Sequence, residues 1–283
     1  MPDFDDATRL EGGEGRYAIT LSSDYEIWGP NGGYLAAVAL RAAGMEAAIK
    51  RPASISCHFI SRAAFEPVRL DVRTLQKGRR AESFHVEMTQ GERTVLQAIV
   101  RTSAAGPGHV HDYAVAPDVP GPEGIQPYHE IFADEGPPPF RFWENFEGRP
   151  TVPVEWVKEN RKRDPVLREW QKFVPTATFD DPFVDAGRYV LFLDTFAWPA
   201  GSGPYRSPDP PEYVAPNLDV TAWFHRPAPE SEWILADHDA PISHGGMLWA
   251  QGRIWSQDRK LIASGGAQCL YVADARGNAG GGK

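Results

Sequence analysis

The stretch Trp28-Gly-Pro-Asn-Gly-Gly-Tyr-Leu-Ala-Ala-Val-Ala-Leu-Arg-Ala-Ala-Gly-Met45 decides how the rest of the chain is read. Leu35, Val38, Ala39, Ala42 and Met45 recur at the spacing of one helical face, and Asn31 stands where a side-chain cap for the first turn is expected. The helix is rich in alanine, which lets a sheet wrap closely around it. Strand candidates follow directly. Ile55, Cys57 and Phe59 alternate with Ser54, Ser56 and His58, the period-two pattern of a half-buried strand. Residues 68–75, 82–88 and 94–102 continue the series. Lys77-Gly-Arg79 and Gln90-Gly-Glu92 join them as short turns containing glycine, as hairpins often do.

The second half repeats this order. A helix is expected over residues 185–198, opened by Asp180-Asp-Pro182 and closed by Pro199. Leu218, Val220, Ala222 and Phe224 then mark one strand face, with further strands expected at 233–237, 248–256 and 260–272. Pro52-Ala-Ser-Ile-Ser-Cys-His-Phe59 and Pro216-Asn-Leu-Asp-Val-Thr-Ala-Trp-Phe224 look like cognate entry strands. A helix followed by an antiparallel run of strands, twice, is an internal repeat. The expected class is α+β, with each sheet curled around its own helix. Between the repeats the chain is dense in Pro and Gly, which marks connections. The expected division is therefore 1–105, a linker at 106–138, and 139–283, with the tail Gly277-Asn-Ala-Gly-Gly-Gly-Lys283 disordered.

Composition narrows the function. The 283 residues are 42% hydrophobic and 24% charged, as in a globular protein able to bury a core. A net charge of −9 argues against a general nucleic-acid binder, which needs a basic surface. Only two cysteines occur, Cys57 and Cys269, too few for a disulfide framework and suited to a reducing compartment. The first ten residues are acidic and polar, without the apolar region of a signal peptide. No apolar run approaches bilayer length. A cytoplasmic protein without membrane association is expected.

With these elements in place, Trp28-Gly-Pro-Asn-Gly-Gly-Tyr-Leu-Ala-Ala-Val-Ala-Leu40 resembles the Gly-Gly entry into the central helix of acyl-CoA thioesterase II-like proteins. Leu218-Asp-Val-Thr-Ala-Trp-Phe-His-Arg-Pro227, Glu232-Trp233 and Ser264-Gly-Gly-Ala-Gln268 resemble that family's C-terminal domain. The resemblance covers nearly the whole chain in element order. It implies a tandem, or double, hotdog fold acting in lipid metabolism. The implied reaction is hydrolysis of acyl-CoA by an activated water, with no metal or redox cofactor. In the family an Asp on the second helix, a Thr or Ser opening the next strand and a Gln on the last strand hold that water. By position these fall on Asp194, Asn217 and Gln268; Asn217 departs from the pattern, and an amide can still bond a water.

The residues themselves leave alternatives open. Asp194 lies in Tyr189-Val-Leu-Phe-Leu-Asp-Thr-Phe-Ala-Trp198, where burial would raise its pKa and favour a base; the other reading is a helix-edge carboxylate in solvent. Gln268 is an amide on an otherwise largely apolar strand face, there to orient water or to satisfy local backbone. Asp219 is the reserve acid. Gly29, Asn31, Gly32 and Gly33 offer backbone N–H groups at a helix N-terminus to a thioester carbonyl, or simply form a tight turn. Lys77, Arg79 and Arg80 are a compact basic cluster for CoA phosphates, or a solvated hairpin tip. His109 and His111 have metal-like spacing but lie in the linker without a partner at zinc-site distance. His244-Gly-Gly246 reads as a turn, and Cys269 as a core residue rather than a nucleophile. No Gly-X-Ser-X-Gly elbow occurs. Rival readings are a non-catalytic acyl-binding protein on the same groove and an enoyl-thioester hydratase. Sheet edges of this kind bury against one another, so a homo-oligomer is expected.

Overall fold

In the computed structural model, which describes residues 3–206 and 212–274, the alanine-rich stretch is a helix surrounded by strands. The tail at 277–283 lies outside the described residues. A single turn, α1 (Phe4–Ala7), precedes the long helix α2 (Gly32–Glu46). Short helices α3 (Tyr128–Ile131) and α4 (Val154–Lys158) lead to α5 (Pro182–Thr195), followed by α6 (Ala197–Gly201). The first half contributes β1 (Glu11–Gly13), β2 (Arg16–Thr20), β3 (Pro52–Phe59), β4 (Pro67–Lys77), β5 (Ala81–Gln90) and β6 (Arg93–Ser103). The second half begins with β7 (Phe146–Pro150), β8 (Val166–Phe173) and β9 (Tyr213–Val214). It continues through β10 (Asp219–Phe224), β11 (Trp233–His244), β12 (Met247–Ser256), β13 (Leu261–Leu270) and β14 (Val272–Ala273).

Twelve of these strands form one antiparallel sheet in the order β1-β2-β4-β5-β6-β3-β10-β13-β12-β11-β8-β7, while β9 and β14 pair separately. The two halves are joined at the centre, where β3 runs antiparallel to β10 with Cys57 opposite Val220 and Ile55 opposite Ala222. Those four side chains are fully buried, the inward half of the alternation that the sequence carries. Each long helix lies on the strands of its own half, and α2 also packs along α5. The contact is close because the facing residues are small: Gly187 of α5 sits beside the Ala37 side chain of α2. Where α5 meets its strands, Phe146, Phe173 and Phe192 contact one another edge to face, and Phe196 stacks parallel to Phe192. Burying each such side chain contributes on the order of 1.5–3 kcal/mol.

Three expectations are corrected. The second helix starts at Pro182, not 185, because Asp181 caps it by accepting from Phe183 N at 2.8 Å. It ends at Thr195, and Pro199 lies inside α6, in a first turn where its missing N–H costs nothing. Strand β11 runs on to His244, past Pro241, because a register shift between Asp239 and Ile242 accommodates the proline. The Pro/Gly-rich connection is more than a tether. Its Ala116, Val119 and Ile125 pack on a cluster of Trp170, Trp233, Leu235 and Trp255. Pro120 O accepts from Trp170 Nε1 at 2.9 Å, fastening the connection across the second half.

Candidate active site

The core helix α5 carries two acids inward, Asp185, which pairs with the buried Arg188, and Asp194. Asp194 is 3% exposed, in the last turn of α5. A helix C-terminus disfavours negative charge, whereas an N-terminus attracts it. The structure opposes the two. The N-terminus of α2 meets this end of α5, and Gly33 N donates to Asp194 Oδ2 at 2.6 Å. Only glycine permits that approach: a Cβ on Gly33 would lie 2.6 Å from Leu191 O and 3.0 Å from Asp194 Cβ. A Cβ on Gly32 would lie 3.0 Å from both carboxylate oxygens and 2.9 Å from the Phe59 ring.

The other carboxylate oxygen is held by Asn217, just before β10. Asn217 Nδ2 donates to Asp194 Oδ1 at 2.7 Å and to the Asp194 main-chain oxygen at 2.7 Å. Among the described residues no cation acts on this carboxylate. Burial, opposed by the bonds from Asn217 and Gly33 and assisted by the nearby Asp219 charge, pushes its pKa up to about 7. Asn31 ties the two helices together: Oδ1 caps α2 by accepting from Tyr34 N at 2.9 Å, and Nδ2 donates to Thr195 Oγ1 at 3.1 Å. Gly29 adopts φ 132° in the turn before α2, closed by Ile27 N donating to Gly29 O at 2.9 Å.

Asp194, Asn217, Asn31, Gly32 and Gly33 are thus gathered at one point. The Gln268 side chain is not. It is exposed, and its peptide groups serve the sheet: N–H donates to Asp219 Oδ1 at 3.0 Å, and C=O accepts from Leu218 N at 2.7 Å. Asn217 pairs instead with Cys269, the next residue along, whose side chain points the opposite way. Cys269 Sγ lies 2.9 Å from Asn217 Oδ1 and is fully buried. Cys269 is a core residue, as its apolar surroundings in the sequence suggest, and the contact with Asn217 follows from the pairing of the two across the sheet. Lys77, Arg79 and Arg80 are exposed at the β4–β5 turn. His244-Gly-Gly is the β11–β12 turn, with Gly245 at φ 61° and Gly246 at φ 80°.

Family comparison bears on the same region. The profile described as acyl-CoA thioesterase N-terminal domain matches residues 21–103, and that described as acyl-CoA thioesterase C-terminal domain matches residues 110–272. The chain belongs to the acyl-CoA thioesterase family. Its reaction is the hydrolysis of acyl-CoA thioesters. Acyl-CoA thioesterase 2 of Haemophilus influenzae is 28% identical over 256 residues, covering 82% of this chain and 84% of that protein. Among solved structures, a hot dog fold protein from Alicyclobacillus acidocaldarius matches with TM-score 0.80 and 22% identity, over 96% of this chain and 98% of that one. An acyl-CoA thioesterase II, TesB2, from Mycobacterium marinum matches with TM-score 0.76 and 19% identity, over 96% and 99%. The fold is therefore a hotdog α+β fold. No helix among the described residues is long and apolar enough to cross a membrane.

Proposed function

We propose that this thioesterase hydrolyses acyl-CoA with Asp194 as the general base, held by Asn217 and by the N-terminus of α2. The observation that carries the reading is a buried carboxylate, with no cation on it among the described residues and with pKa raised to about 7, at the meeting point of α2, α5 and β10. A carboxylate has about four lone-pair sites, so the two bonds from Gly33 and Asn217 leave room for a water. Asp194 takes a proton from that water as its oxygen attacks the thioester carbonyl. The C–S bond then breaks, and the proton is returned to the departing CoA sulfur. Gly33 N–H is engaged by Asp194 and Tyr34 N–H by Asn31, so Gly32 N–H, first in the helix, is the donor left for the developing oxyanion. The Gln268 side chain, exposed on β13, is given no role in this scheme.

The same reading divides the chain into tandem hotdog halves, 1–105 and 139–283, joined by 106–138; each long helix lying on its own strands supports it. A cytoplasmic homo-oligomer remains part of the proposal. The test is free-thiol release from acyl-CoAs of short, long and aromatic acyl groups, using the wild type and Asp194→Asn. Loss of a general base lowers kcat by about 10²–10⁴-fold. Unchanged turnover in a folded Asp194→Asn would remove Asp194 from the reaction, and acyl-CoA bound without turnover in the wild type would overturn the reading.

A further inference from the structure

The Asn217 amide has two unlike ends, an oxygen that accepts and an NH₂ that donates. One end lies 2.7 Å from both Asp194 Oδ1 and the Asp194 main-chain oxygen, two acceptors. That end must be Nδ2, which turns Oδ1 toward Cys269 Sγ at 2.9 Å. Reversal would set the amide oxygen against both acceptors. The two Asp194 acceptors set the orientation of Asn217, and the partner left for its oxygen is a thiol with no exposure to solvent.

We propose that Cys269 is a positioning residue for hydrolysis, its S–H donating to Asn217 Oδ1 and so locking the amide that holds Asp194. The proposal rests on the reading of Asp194 as base. Burial, with the nearby Asp194 and Asp219 charges, pushes the Cys269 thiol far above its usual range. It therefore stays a neutral donor while Asp194 titrates, and it forms no covalent bond to the acyl group. The titratable groups facing this cluster are Asp219 at the start of β10, Cys57 on β3 and Cys269 on β13. Without the S–H the amide oxygen is left unpaired in a buried site, and the hold of Nδ2 on Asp194 loosens. A weaker donor to the carboxylate disfavours its charged form, so the Asp194 pKa moves up.

The experiment measures kcat and KM by free-thiol release across the titration of Asp194, for the wild type, Cys269→Ala, Cys269→Ser and Asp194→Asn. In Cys269→Ala, kcat near neutral pH falls by about three- to tenfold, the scale of one net hydrogen bond. The midpoint of its kcat–pH profile moves up, and KM is little changed. Cys269→Ser keeps a donor and returns the midpoint to the wild-type position. Should Cys269→Ala fail to fold, Cys269→Val fills the volume without a donor and is expected to behave as the alanine variant would. A wild-type midpoint in the variant lacking a donor overturns the proposal. So does a folded Cys269→Ser as impaired as Cys269→Ala, the result expected of packing alone. Asp194→Asn separates the failures. If it is inactive while Cys269→Ala keeps its midpoint, only the positioning role falls. If it retains full turnover, the base and its positioning residue fall together.

Discussion

At the scale of single residues, the conspicuous tension is at Asp194. Burial disfavours its charge, the bonds from Gly33 and Asn217 favour it, and burial wins, leaving the pKa at about 7. A base is useful only when deprotonated, so kcat should rise with pH through a midpoint near 7 and level off above it. Asp219 adds to the upward shift by its charge, so Asp219→Asn should move that midpoint down. Steady-state rates across the titration check both, and a flat profile would show that another step or group governs turnover. Asp194 was legible in the sequence through the family resemblance, because an acid inside Tyr189-Val-Leu-Phe-Leu-Asp reads by itself either as a buried base or as a helix-edge carboxylate in solvent. The third position was not. Gln268 and Cys269 are neighbours on β13, and a shift of one residue exchanges the faces they occupy. Only the bridge between Asn217 and Cys269, a pairing across the sheet, shows which of the two side chains faces the Asn217 amide.

At the scale of elements, helix and strand periodicity carried α2, β3, β4, β5 and β6 from sequence to structure with small changes at their ends. What periodicity could not show is how near α2 and α5 approach, because Gly33 reads equally as part of a turn and as a helix contact. The structure settles its use. A Cβ there would lie 2.6 Å from Leu191 O and 2.7 Å from Leu191 Cα, backbone atoms that cannot rotate away. Gly33→Ala should therefore push the helices apart and destabilise the protein by about 1–3 kcal/mol, as overpacking does. Its activity should fall too, since Gly33 N holds the carboxylate. Gly108→Ala is the control: nothing lies within 4 Å of its would-be Cβ, and its φ is ordinary. Urea unfolding of both variants reads the difference. Equal midpoints would mean that α2 and α5 are not in the close contact described.

At the scale of the whole molecule, the site exists only because the halves share one sheet: α2 comes from the first, and α5 and Asn217 from the second. The cost of that buried site should be visible in global stability. Asp194 binds its proton more tightly folded than unfolded, with a pKa of about 7 against 3.8. Its contribution to stability is present below 3.8 and is lost as pH rises through 7, by roughly 4 kcal/mol in total. His238 works the other way. It lies on β11 under the edge of Phe196, 1% exposed, and burial lowers its pKa to about 3 from 6.5. Its contribution is present above 6.5 and is lost as pH falls toward 3. The two limbs oppose each other between about pH 4 and pH 6.5, which flattens the wild-type profile there. Asp194→Asn removes one limb and leaves the other. Relative to the wild type, that variant should therefore gain stability steadily as pH rises from about 4 to about 7. The influence of Glu169, whose carboxyl burial also raises, is common to both proteins and cancels in the difference. Urea midpoints at successive pH values measure that difference directly. Parallel curves would show that Asp194 carries an ordinary pKa in the folded protein, and with it the physical basis for its role as base would be gone.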